Sequence, residues 1–242
     1  RSSTLTERNP EPSGVVVGSL LVALYTVEHN EITTGGANAQ LPAPSGWSAP
    51  PDAPAYQGVD DGTALYVWYK IANSTDASAG TTQYAMPVQN GRWLRGCIMR
   101  IVDHDESSPW DAGDGAVAAS SNNVPSTSVT TTGDDRLLIW GASSYNLSNW
   151  TTLPAGFTEI AAYANASTKV NTAAQRTLAS AGTVTTGTID AGASAGKAAW
   201  LGAIKPAASA VTGTLAGTAP KPAAAIAGTV RGTGVLAGTS PK

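Results

Sequence analysis

The chain has 242 residues, a formal net charge of −3 and only 13% charged residues. That balance gives no electrostatic case for nucleic acid, and the single Cys97 excludes an intramolecular disulfide or a Cys-rich metal site. Gly (26) and Pro (15) are abundant, while seven Trp and seven Tyr stand beside one Phe. Thr and Val are plentiful and helix formers scarce, so composition points to β-structure with many turns.

Residues 1–14 are polar, carry Pro10 and Pro12, and read as an N-terminal arm. Val15–Val27 is a nearly continuous apolar run and predicts a buried strand. It is too short and interrupted to cross a bilayer. The polar residues before it do not suit a signal peptide, so no membrane insertion is expected. Glu31–Gly62 reads as loop around the turn Pro44-Ser45-Gly46-Trp47. Thr63–Ala72 alternates with period two and predicts a strand. Thr81–Met86 predicts a short strand and Gly91–Val102 a strong one, with Cys97 as a buried, inert thiol. Asp103–Gly115 reads as an acidic loop. Val124–Thr132, Arg136–Ser144, Thr158–Tyr163, Val170–Ala179, Thr183–Ile189 and Gly196–Ile204 complete the predicted strands.

Two repeats run through this pattern. In the last thirty-odd residues, Leu215-Ala216-Gly217-Thr218 returns as Ile226-Ala227-Gly228-Thr229 and Leu236-Ala237-Gly238-Thr239. Each pass holds one large aliphatic, too little apolar surface to offset its own ordering entropy, so residues 208–242 predict a stalk or tether. Small residues at fixed period suit close packing of identical chains, and a trimer is expected. A chain that starts at Arg1 and stops in mid-phrase at Lys242 reads as a processed product or a segment of something longer. The second repeat is weaker. Gly18–Leu24, Pro44-Ser45-Gly46-Trp47 and the Trp-Leu phrase at Trp93 recur in the same order as Arg136–Trp140, Pro154-Ala155-Gly156-Phe157 and the Trp-Leu phrase at Trp200. Two related halves suit a sandwich of two sheets, with each half expected to contribute to both.

Chemistry-bearing motifs are few. Neither His29 nor His104 accompanies a nucleophile motif, and no phosphate-binding glycine loop is present, so an enzyme is not expected. Asp103, Asp105, Asp111 and Asp114 form the densest acidic stretch. They read as a solvated loop or as oxygen ligands for Ca²⁺. Trp47, Trp110, Trp150 and Tyr145 lie in or near loop-like contexts, where exposed rings would stack on sugars and buried ones would plug a core poor in Phe and Leu. Asn73-Ser74-Thr75 matches a glycosylation sequon, a frequent accident in a Ser/Thr-rich chain.

Taken in order, G-x-L-L-V-A, Pro-Ser-Gly-Trp, the strand ALYVWYKIA, the Trp-x-x-Gly strand with its Asp-rich loop, STSVTTTGDDRLLIWGA, Pro-Ala-Gly-Phe-Thr-Glu and Trp-Leu-Gly-Ala-Ile-Lys-Pro form a recognisable series. Over roughly residues 13–207 it resembles the β-sandwich domain of minor tail proteins of actinobacterial siphophages. The Leu-Ala-Gly-Thr and Pro-Lys phrases are similar to repeats in those proteins. The resemblance implies a non-enzymatic virion component at the phage tail. It further implies a homo-oligomer, with other tail proteins and host cell-envelope glycan as expected partners. It supplies no catalytic residues. The expected fold is all-β: a jelly-roll-like antiparallel β-sandwich over residues 15–207, between the arm and the repetitive tail.

Overall fold

The structure, a computed structural model, describes residues 8–10, 12–29, 42–53, 55–56, 62–78, 83–85, 94–148, 152–165 and 168–208. One compact unit spans Arg1–Ala207 and a second Ala208–Lys242. The predicted stalk repeats lie outside the described residues, as does most of the predicted arm.

The fold is all-β. One sheet has the order β3 (Ala55–Tyr56), β4 (Gly62–Ile71), β2 (Leu20–His29), β6 (Leu94–Ile101). The other has the order β10 (Thr158–Asn165), β11 (Thr168–Leu178), β9 (Arg136–Ser148), β13 (Ile189–Ile204), β7 (Trp110–Val124). Two small ribbons pair β1 (Arg8–Pro10) with β5 (Gln83–Ala85), and β8 (Ser128–Thr130) with β12 (Thr183–Thr185). All of these strand pairs are antiparallel. A short helix, α1 (Ser74–Ser78), follows β4. Its first turn is capped by Asn73, whose Oδ1 accepts from Thr75 N (2.8 Å) and Asp76 N (3.1 Å), the usual answer to unsatisfied amides at a helix start.

The sequence echo between the halves has a structural counterpart. Strands β1 to β6 recur as β8 to β13, ribbon for ribbon and sheet for sheet: β3-β4-β2-β6 matches β10-β11-β9-β13. The tight turns match as well. Trp47 N donates to Pro44 O (2.9 Å) and Phe157 N to Pro154 O (3.0 Å). Gly46 and Gly156 take φ of 79° and 80°, values that an L side chain at that turn position would resist. Each half builds its own sheet, which differs from the expectation that both halves would supply both sheets. The reason is local: within each half, β2 or β9 lies between two strands of that same half. β7 has no counterpart among the described residues and joins the second sheet beyond β13.

The sheets pack face to face. Leu20, Val22, Leu24, Leu65, Val67, Met99 and Ile101 from the first interlock with Trp110, Ile139, Ala173, Ala198, Trp200 and Ile204 from the second. Burying each of the larger aliphatics contributes about 1.5–3 kcal/mol. Each sheet also carries apolar side chains on its outer face, and there the turn aromatic covers them. Trp47 packs with Leu21, Tyr25, Tyr66 and Trp68, and Phe157 with Leu138, Trp140 and Leu201.

Several boundaries differ from the sequence reading, among them Thr183–Ile189, which splits into β12 and the start of β13. β2 starts at Leu20, because Val16–Ser19 closes a turn (Ser19 N to Val16 O, 3.0 Å) with Gly18 at φ 87°, leaving Val16 and Val17 exposed. Asp103–Gly115 is not all loop, since Trp110 opens the 15-residue β7. The predicted strand Val124–Thr132 shrinks to β8, its neighbours being the end of β7 and a turn.

Candidate functional site

The candidate aromatic residues divide by burial. Trp47 is 7% exposed, with the Lys70 ammonium 5.9 Å from its ring centroid. Lys70 itself bonds Asp76 Oδ1 at 2.8 Å. Trp110 is 8% exposed and stands edge-on between Tyr69 (5.6 Å) and Trp200 (5.4 Å), geometries that favour aromatic pairs. Neither ring offers a face for a sugar: Trp110 fills the space between the sheets and Trp47 covers the outer face of the first. The side chain of Tyr145 and the whole of Trp150 lie outside the described residues.

The four candidate acids do not converge. Among the described residues, no group of three or more His, Cys, Asp or Glu is placed to hold a metal ion. Asp103 sits at φ 56°. Asp105 Oδ1 accepts from Ser107 N (2.9 Å), Ser107 Oγ (2.6 Å) and Ser108 N (3.1 Å). The Ser107 hydroxyl first, then the two amides, hold its carboxyl below the usual range. Asp111, on β7, is almost buried and bonds Thr132 N (2.9 Å), Thr132 Oγ1 (2.5 Å) and Arg136 Nε (2.8 Å). Burial pulls its pKa upward, but the Thr132 and Arg136 bonds outweigh that and leave it lowered. Asp114 Oδ2 accepts from Ser128 N at 2.6 Å. Three of the four carboxylates are thus occupied with nearby backbone and side-chain donors that fix loops and the β7–β8 corner.

The acidic loop has a structural task that spacing did not reveal. It clasps residues 205–207, the last of the compact unit. Asp105 N donates to Lys205 O (3.0 Å), Lys205 N to Pro109 O (2.8 Å) and Ala207 N to Asp103 O (2.8 Å), while Lys205 Nζ donates to Ser108 Oγ (2.8 Å). His104 bridges to Pro206 within this clasp and is 5% exposed. Neither ring nitrogen has a hydrogen-bond partner among the described residues. Desolvation lowers its pKa, against the opposing pull of the Glu106, Asp105 and Asp103 carboxylates. Among the described residues, no hydroxyl or thiol is bonded to its ring.

Two further groups stand out. Lys197, on β13 opposite Ser144, is fully buried, and burial pushes its ammonium down to about 8. Its Nζ lies 3.4 Å from Ala195 O. The only sequence signal was a lone charge inside an Ala/Gly-rich run. Cys97, half-buried on β6, has its thiol pushed up to about 11 by burial, so it stays protonated at neutral pH. No protein-family model, no curated protein and no solved structure matches this chain.

Proposed function

We propose that this protein is a non-enzymatic structural component of a bacteriophage virion, a minor tail or tail-fibre protein acting in tail assembly and host-surface adhesion. The observation that carries the reading is a duplicated sandwich whose final residues are clasped just before a Gly/Ala/Thr/Pro repeat. Such a plan transmits load from a globular head to a tether and needs no reacting groups. The order of sequence motifs resembling siphophage minor tail proteins supports the same reading. The repeat is the segment through which identical chains would assemble as trimers. Host envelope glycan is the proposed contact, carried by residues other than the buried Trp47 and Trp110.

The test is to shear purified virions, separate heads from tails and identify this chain by mass spectrometry. Recovery with tails supports the reading. Recovery with heads points instead to a capsid decoration or head-fibre protein, and absence from both removes the virion reading altogether.

A further inference from the structure

The internal repeat shows one asymmetry. β13 is paired on both sides, by β9 and β7. Its counterpart β6 is paired by β2, and among the described residues no strand lies on its other side. The consequence is visible in burial. Trp200 and Leu201 on β13 are fully buried, whereas Gly96, Cys97 and Ile98 in the middle of β6 are only half-buried. Cys97 and Ile98 still face the inner and outer apolar clusters of their sheet. An open edge lined by such residues is a template for another strand.

We propose that the open edge of β6 accepts an antiparallel strand from a partner polypeptide, one that is extended, acidic and rich in small residues. The strand seated on the equivalent edge gives that chemistry. β7 reads WDAGDGAVAASSNNV, with Asp111 and Asp114 and no basic residue. β6 reads LRGCIMRI, with Arg95 and Arg100 and no acidic one. Arg100 is exposed. Main-chain bonds along the edge give affinity, alternate side chains give register, and opposite charges select the partner. A second copy of β6 would bring only arginines and no acidic residue to this edge, so it offers no opposite charge.

The test uses the full chain and a synthetic peptide with the sequence of residues 110–124, followed by hydrogen exchange. Alternate β6 amides should exchange fast in the free chain and slow at least about tenfold when peptide is added. Arg100→Glu should weaken the peptide roughly tenfold and Arg100→Gln less, both variants remaining folded. A scrambled peptide of the same composition should not protect β6. The proposal is overturned if β6 amides are already protected in the free chain, if the peptide protects only the β13 edge by exchange with β7, or if the scrambled peptide works equally well.

Discussion

Leu24 and Gly141 face each other across the sandwich, each on the middle strand of its own half, and the Leu24 side chain fills the space a side chain at position 141 would need. A Cβ built on Gly141 would overlap Leu24 Cδ2. Leu24 is fully buried. The close approach of the two sheets at this point therefore depends on this pair. Gly141→Ala should cost about 1–3 kcal/mol by overpacking, and Leu24→Ala about 2–5 kcal/mol by leaving a cavity. The double variant should be more stable than the sum of the singles predicts, because each change relieves the other. Chemical denaturation of the four proteins gives the coupling directly; strict additivity would show that the close approach does not depend on the pair.

Trp47 and Trp110 act as core residues. Truncating either to Ala should cost about 3–5 kcal/mol, read as a fall in Tm of roughly 2–4 °C per kcal/mol for a domain of this size. A variant that kept the parental Tm would contradict the packing role and return that ring to the candidate ligand contacts.

His104 gives the clasp a pH dependence of defined sign. Its folded pKa lies below the ordinary 6.5, so the unfolded chain binds the extra proton more readily. The contribution to stability is fully present above pH 6.5 and is lost as pH falls through the folded value. His104→Gln should flatten the stability curve in that window. An equally steep decline in the variant would assign the effect to other groups.

The Asp111–Arg136 pair operates in a lower window. With both side chains nearly buried, Asp111→Asn should cost about 1–3 kcal/mol at neutral pH. Because the Asp111 pKa lies below 3.8, the stability it supplies is present above that value and lost as pH falls through the folded one. Wild type and variant should therefore converge in strong acid. A gap that persists well below the folded pKa would show that the carboxylate charge is not what stabilises the corner.

Sequence periodicity located the strands that have strong apolar alternation. Thr63–Ala72 and Arg136–Ser144 fall on β4 and β9, and the Pro-x-Gly-aromatic phrases mark two matching turns. The longest strand that escaped was β7, whose Asp, Gly and Ala carry little intrinsic strand preference and which is held by its ladder to β13. The site residues were harder to read. Trp47 and Trp110 look loop-like by their neighbours, yet burial is decided by long-range packing against Lys70, Tyr69 and Trp200. In one dimension the acidic loop reads as a solvated loop or a cation site. Only the return of residues 205–207 beside it shows that its backbone serves as a clasp.

The most direct measurement of the central claim is immunogold labelling of intact virions with antibody raised against residues 15–206. Gold at the tail tip or along tail fibres is the predicted result. Gold confined to the head, or virions that carry no label at all, would contradict the assignment to the tail.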